Sequence, residues 1–126
     1  MSQHVGLYGL QVFVVEDEMM VSLMLEDMLE DFGCTIAGAA ATVDDALSRL
    51  QSTLDIDAAI LDVHVGGDMI FPVADILVKR GVPFVFSTGH GPADLPRRYP
   101  DSRLLNKPYS PEQLASVLED FAHAGH

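Results

Sequence analysis

The feature that most constrains this chain is an apolar run that ends in a carboxylate. Residues 58–61 (Ala-Ala-Ile-Leu) lead directly into Asp62 and Val63, and a loop with the sequence His-Val-Gly-Gly follows at 64–67. An unbroken apolar run of this length is typical of a strand buried on both faces of a parallel sheet. Ligands bind beyond the carboxyl ends of such strands. Because burying a charge is costly, Asp62 is either an isolated exception or a residue that carries chemistry.

Similar runs recur along the sequence and alternate with helical patterns. The predicted strands cover residues 12–15, 34–37, 58–63, 83–86 and 103–105, and a helical segment follows each of them. This alternation predicts an α/β fold, a doubly wound five-stranded parallel sheet with helices on both faces. The 126 residues are enough for one domain with a sizeable core. We expect a loose lead-in over 1–9, one domain over 10–124 and no effector domain.

The helical segments carry more specific predictions. One apolar face is predicted for the first helix by the spacing of Val21, Met24, Leu25, Met28 and Phe32. We expect the methionines of this helix to fill gaps in the core rather than to form a binding face. Thr42 and Ser110 are predicted N-caps. Three prolines at every fourth position between residues 91 and 100 predict a shortened or irregular fourth helix.

Charge and composition exclude several functional classes. The formal net charge of −12 argues against nonspecific binding to nucleic acid or to an anionic membrane, although a basic protein partner remains compatible. Cys34 is the single cysteine, so no internal disulfide can form. The sequence has no secretory signal pattern and no apolar run long enough to span a membrane. We therefore expect a cytoplasmic protein.

Polar side chains follow four of the five predicted strands. They are Glu16 and Asp17 after the first strand, Asp62 in the third, Thr88 after the fourth and Lys107 after the fifth. Parallel strands bring these ends to one edge of the sheet, where three carboxylates repel unless a cation lies among them. An oxygen-preferring ion such as Mg²⁺ (or Mn²⁺) fits this set. Together with a hydroxyl and an ammonium, the set predicts phosphoryl transfer onto a carboxylate.

Four of these residues also have a plain structural interpretation. Glu16 and Asp17 would then be acids at the start of the first helix, where the helix dipole favours negative charge. Thr88 would be a turn residue, and Lys107 a solvated surface charge.

Four motifs together resemble the receiver domains of two-component response regulators. They are Val-Val-Glu-Asp-Glu at 14–18, Ile-Leu-Asp-Val at 60–63, Ser-Thr-Gly at 87–89 and Asn-Lys-Pro at 106–108. Each motif is weak alone, but all four occur in order at the ends of predicted strands, and the resemblance extends over most of the chain. It implies a flavodoxin-like (βα)5 fold with strand order 2-1-3-4-5.

The resemblance also implies a role for each site residue. Asp62 resembles the phosphoacceptor, and Asp17 and Asp62 would bind Mg²⁺ with the backbone carbonyl of His64, while Glu16 would act through water. Thr88 resembles the switch hydroxyl, and Lys107 would contact the phosphoryl group. The bond between Lys107 and Pro108 is usually cis in the family.

The sequence departs from the commonest receiver pattern at one switch position. Leu104 lies three residues before Lys107, where most receivers have an aromatic residue, so a paired threonine–aromatic switch is in doubt. The stretch Pro-Phe-Val-Phe-Ser-Thr-Gly-His at 83–90 and the broken fourth helix resemble a subgroup of single-domain receivers with a Pro-Phe-x-Phe-Ala-Thr-Gly-Tyr-like motif. Members of that subgroup tend to work with a distinct class of sensor histidine kinases.

The resemblance therefore implies a stand-alone receiver rather than an enzyme with turnover of its own. A sensor histidine kinase would phosphorylate Asp62, and the output would come through contact with an unknown downstream protein or through draining of phosphoryl groups. Two alternatives stay open. One is a pseudo-receiver that binds partners without phosphorylation. The other is an aspartyl-phosphate phosphohydrolase, which the place of His64 two residues after Asp62 disfavours, because such enzymes usually have a second aspartate there.

Overall fold

The computed structural model describes residues 5–53, 55–89 and 103–124, and these form a three-layer α/β domain. The strands are β1 (Gln11–Val15), β2 (Thr35–Ala40), β3 (Ala58–Asp62), β4 (His64–Val65), β5 (Asp68–Met69), β6 (Phe84–Thr88) and β7 (Arg103–Asn106). The helices are α1 (Met19–Asp31), α2 (Val43–Ser52), α3 (Phe71–Arg80) and α4 (Pro111–Ala124). A short 3-10 helix, Val5–Leu7, precedes β1.

The main sheet has five parallel strands in the order β2-β1-β3-β6-β7. Counted among the five main strands, this is the order 2-1-3-4-5, so the predicted fold class and strand order are confirmed. β3 lies at the centre, and all five of its residues are buried. The remaining two strands, β4 and β5, form a separate antiparallel hairpin directly after β3.

Alternation of side chains along the strands gives the sheet two apolar faces. Phe13, Leu61 and Phe86 pack on one face with residues of α2 and α3. Val14, Ile60 and Val85 pack on the opposite face with residues of α1 and α4. The strands lack a polar face because both sides are covered by helices, which explains their continuous apolar runs.

Local sequence signals explain where several helices begin and end. The Thr42 hydroxyl accepts a hydrogen bond from the Asp45 N–H at 3.0 Å, so the predicted cap of α2 is confirmed. The backbone N–H of Ser110 donates to the Gln113 side chain, and the Ser110 hydroxyl accepts from the Gln113 N–H, which confirms the predicted capping box of α4. Gly81 ends α3 in the left-handed conformation at φ 72°.

The end of α2 depends on a side chain from another helix. Arg80, the last residue of α3, donates to the carbonyl of Thr53 at 2.8 Å and to that of Leu50 at 2.5 Å. Leu50 lies in the last turn of α2 and Thr53 directly follows the helix, where no intrahelical donor remains. The α3 arginine therefore takes the place of a local stop residue.

Two predictions about the first 31 residues are wrong. The described part of the lead-in, residues 5–9, is not loose, because Leu7 is fully buried in the core on the side of α1 and α4, and the N–H of Gly9 donates to the carbonyl of Gly33 at 2.8 Å. The methionines of α1 do not all fill the core. Met19, Met20 and Met24 are 76%, 72% and 56% exposed, whereas the helix packs through Leu25 and Leu29.

One prediction concerns a segment outside the described residues. The proline-containing segment at 91–100, and with it the predicted irregular fourth helix, belongs to the range 90–102, of which the structure describes nothing. Within the described residues, none of the helices has the length and apolar character that crossing a lipid bilayer requires.

Candidate functional site

The sheet register brings the polar strand ends together. In the central pairing, Asp62 of β3 lies opposite Ser87 of β6. The next residue of β6, Thr88, is buried and pairs with Asn106 of β7. The backbone N–H of Lys107 then donates to the carbonyl of Thr88 at 2.8 Å. Asp62, Thr88 and Lys107 therefore lie at the ends of three adjacent strands, at the same edge of the sheet.

Lys107 joins two carboxylates across this edge. Its Nζ lies 2.8 Å from Oε1 of Glu16 and 3.0 Å from Oδ2 of Asp62, which are both buried. Burial by itself lowers the pKa of Lys107, but the hydrogen bonds to the two carboxylates and their negative charges outweigh it. The pKa of Lys107 is therefore raised above its ordinary value of 10.5, and the ammonium stays charged at neutral pH.

Glu16 is held by both of its oxygens. One accepts from Lys107, and the other, Oε2, accepts the backbone N–H of Glu18 at 3.1 Å. Burial raises the pKa of Glu16, the hydrogen bonds from Lys107 and Glu18 lower it, and the nearby charge of Asp62 raises it again. The net effect is a raised pKa, because burial is the largest of these influences.

Asp17 completes a cluster of three acids. Glu16, Asp17 and Asp62 each offer a carboxylate oxygen, and these oxygens lie within 4.8 Å of one another. Asp17 is the exposed member, and its Oδ2 accepts the backbone N–H of Gly66 at 2.9 Å. Three carboxylates and one ammonium leave two negative charges, which a divalent cation would balance. Carboxylate oxygens are the ligands that Mg²⁺ prefers, so the donor set fits this ion.

His64 lies beside this cluster in the chain. It is the first residue of β4, two residues after Asp62, and it pairs with Met69 of β5. Its side chain is exposed. The peptide bond between Lys107 and Pro108 is cis, as the resemblance implies.

The sequence and the fold are both similar to those of known proteins. No family model matches the sequence. The solution structure of SdrG from Sphingomonas melonis Fr1 is 40% identical, with a TM-score of 0.79 over 90% of this chain and 96% of that one. A PhyR response regulator REC domain from Erythrobacter litoralis is 25% identical, with a TM-score of 0.81 over 92% of both chains. The chain belongs to the response regulator receiver family.

The receiver domain also has curated relatives that are longer than itself. The transcriptional regulatory protein PdtaR of Mycobacterium tuberculosis is 31% identical over 113 residues, or 86% of this chain and 55% of PdtaR. The chain spans about half the length of the curated relatives it matches. A BeF3-activated conformation of SdrG, assigned to Pseudomonas melonis Fr1, is 39% identical to the receiver, with a TM-score of 0.73 over 94% of this chain and 96% of that one.

Sequence reasoning missed the contact between the β4–β5 hairpin and Asp17. It treated residues 64–67 as a plain loop, whereas Gly66 and Gly67 form a two-residue turn between paired strands. The signal was present, because two glycines between short β-prone segments are typical of a tight hairpin. No local pattern indicates that the turn reaches a residue 49 positions earlier in the chain.

Tyr109 is a second residue whose environment the sequence left open. It packs against the core on the side of α1 and α4, and it lines a groove of about 390 Å³ with Met24, Met28 and Lys107. Burial raises the pKa of Tyr109 to about 12. The phenol is therefore neutral at physiological pH and contributes no charge to the site.

Proposed function

We propose that this receiver domain accepts a phosphoryl group on Asp62 from the phosphohistidine of a sensor kinase, in a reaction that requires Mg²⁺ or Mn²⁺. The observation that carries the proposal is the Lys107 ammonium, which lies 3.0 Å from Oδ2 of Asp62 and 2.8 Å from Glu16. A carboxylate at the end of a buried strand, with a cation at hydrogen-bond distance, is suited to bear a group that brings additional negative charge.

The residues around Asp62 would hold the divalent ion. Asp17 and Asp62 would bind it through their carboxylates and His64 through its backbone carbonyl, with Glu16 acting through water. The two negative charges left after pairing with Lys107 support this assignment. When bound, the ion supplies positive charge to the phosphoryl oxygens.

The transfer step follows from the chemistry of the acceptor. A carboxylate oxygen of Asp62 attacks phosphorus, and a P–O bond forms while the P–N bond of the donor breaks. The electron pair of the P–N bond stays on the imidazole nitrogen, so the product is an acyl phosphate and a free histidine. Lys107 offsets negative charge on the transferred oxygens, as electrostatic stabilisation of phosphoryl transfer requires.

Thr88 would report the phosphorylated state. Its hydroxyl would close on the phosphoryl group, and the change in this region would alter which downstream protein binds, or the domain would drain phosphoryl groups from another pathway. The position of Thr88 on the strand beside β3 supports this role. Leu104 is partly buried against the core where most receivers have an aromatic residue, so the switch would operate without an aromatic partner.

The relatives add independent support. The BeF3-activated conformation of SdrG belongs to a protein 39% identical to this receiver, and beryllium trifluoride bound to a carboxylate oxygen has the tetrahedral geometry of an acyl phosphate. We also propose that this receiver belongs to the subgroup with the Pro-Phe-x-Phe-Ala-Thr-Gly-Tyr-like motif, on the basis of residues 83–90.

Labelling by a small phosphodonor tests the proposal. Acetyl phosphate with Mg²⁺ should produce an acid-labile phosphoprotein, and Asp62→Asn should abolish it. Asp44→Asn is the matched control, because Asp44 is an exposed acid in the first turn of α2. Labelling of Asp62→Asn at the wild-type rate would contradict the assignment. Absence of labelling by acetyl phosphate and by candidate kinases would favour a domain that binds its partners without phosphorylation.

A further inference from the structure

The hairpin that follows β3 has a firmly anchored base. Val63, Val65 and Ile70 are all fully buried, and the N–H of Ile70 donates to the carbonyl of Val63 at 3.0 Å. Between the two short strands, Gly66 and Gly67 turn the chain with φ angles of 58° and 87°. Positive φ at both central residues is typical of a type I′ turn. The core therefore fixes where the tip of the hairpin lies.

The tip reaches a side chain from a distant part of the sequence. The N–H of Gly66 donates to Oδ2 of Asp17 at 2.9 Å, and Asp17 follows β1. Asp17 differs from the other two acids of the cluster. Glu16 and Asp62 are buried and bound by Lys107, whereas Asp17 is exposed and accepts the hairpin amide.

We propose that the Gly66 amide is a positioning group, which fixes the Asp17 carboxylate for a divalent cation and thereby couples the hairpin to metal binding. The inference rests on the proposed function, because it concerns the same ion. A carboxylate can accept a hydrogen bond on one oxygen and bind a metal through the other. Hydrogen bonds of this kind orient metal ligands, and losing one typically weakens metal affinity by about 10- to 100-fold.

Glycine at position 66 has a specific role in this arrangement. A φ of 58° is the left-handed conformation, which β-branched residues strongly avoid and asparagine tolerates. A Cβ added at Gly66 meets no atom within 4 Å, so substitution strains the backbone without a steric clash. Gly66→Val should therefore distort the turn and move the N–H, whereas Gly66→Asn should preserve the turn.

Gly81 provides a matched control. It has a φ of 72° and equally open surroundings, but it ends α3 and makes its cap bonds to Leu77 and Val78. Gly81→Val thus introduces the same kind of backbone strain without touching Asp17.

Calorimetric titration of MgCl₂ into the full chain separates the outcomes. We expect Gly66→Val to raise the Kd for Mg²⁺ at least 10-fold, Gly66→Asn to stay within about 3-fold of wild type, and Gly81→Val to bind like wild type. Equal affinities in all four proteins would overturn the inference and leave the proposed function standing. If wild type itself fails to bind Mg²⁺ at millimolar concentration, the proposed function fails instead.

A measurement that needs no strained variant covers the case in which Gly66→Val does not fold. In ¹⁵N NMR spectra of metal-free protein, the Gly66 amide proton should exchange slowly with solvent, and Asp17→Ala should speed its exchange at least 10-fold. The Gly66 resonance of wild type should also shift as Mg²⁺ is added. An exchange rate that is the same in wild type and Asp17→Ala would overturn the inference.

Discussion

Replacing Lys107 by methionine tests the electrostatic balance of the site. Methionine keeps most of the apolar stem and leaves Glu16 and Asp62 without the ammonium. Their side chains are only 2% and 9% exposed, so solvent cannot fully replace the lost partner. Removing one member of a buried ion pair typically costs 3–5 kcal/mol, and we expect about 3 kcal/mol here, because the 19% exposure of Lys107 opens the site to water.

The stability lost in Lys107→Met should depend on pH. Burial raises the pKa of Glu16, and the hydrogen bond from Lys107 opposes that rise, so the pKa is higher still in Lys107→Met. An acid whose pKa is above its unfolded value binds more protons in the folded state, and stability then falls as pH rises through that window. Lys107→Met should therefore cost more stability at pH 7.5 than at pH 5.5.

Urea denaturation in EDTA at pH 5.5 and at pH 7.5 measures both effects. Both pH values are above the sequence pI of about 4.4. The protein therefore keeps a net negative charge, which opposes precipitation. Lys107 itself remains charged throughout, because its raised pKa means that its contribution is lost only above pH 10.5. Adding Mg²⁺ should reduce the difference in the free energy of unfolding between wild type and Lys107→Met at pH 7.5.

Arg103→Met is the control for the removal of a cation. Arg103 and Asp120 form an ion pair at 2.6 Å, but their side chains are 44% and 57% exposed, and we expect a cost of at most about 0.5 kcal/mol. The reasoning is refuted if Lys107→Met is as stable as wild type at pH 7.5 in EDTA, or if its cost is the same at both pH values.

The remaining predictions concern Leu7 and Cys34, two buried residues on the side of the sheet that α1 and α4 cover. Leu7→Ala should destabilise the domain by about 2–4 kcal/mol, because Leu7 is fully buried, whereas Tyr8→Ala should stay within about 0.5 kcal/mol because Tyr8 is 84% exposed. Equal urea midpoints for the two variants would show that the segment before β1 does not belong to the core. Burial raises the pKa of Cys34 to about 11, so roughly one thiol in a thousand is ionised at pH 8 and a thiol reagent should label it only in denaturant. Rapid labelling of the native protein would contradict the burial of this thiol.

Regular periodicity made the sheet and its polar edge predictable. The run at 58–61 is apolar at every position because β3 is covered on both faces, and that pattern needs no knowledge of the other strands. The strand order follows once the family resemblance is stated. The chain order of Asp17, Asp62 and Lys107 at strand ends then indicated one site, and the structure brings these residues together through the register of parallel strands.

The errors arose where burial depends on distant partners. Residues 5–9 have no period, and Leu7 is buried because α1 and α4 leave room for it beside β1. In α1, the first two turns are apolar on several sides, so spacing alone could not distinguish the face that packs from the face that stays exposed. Leu25 and Leu29 pack inward, while Met20 and Met24 do not.

The arginine at the end of α3 has a consequence for how this domain can be divided. Two carbonyls at the end of α2, those of Leu50 and Thr53, receive donors from Arg80, which lies 27 to 30 positions further along the chain. A fragment that stops before α3 would contain the whole of α2 but would lack the Arg80 side chain that donates to the carbonyls at its end. The helix would then fray from its carboxyl end, and it would recover its last turn when a peptide carrying α3 is supplied in trans.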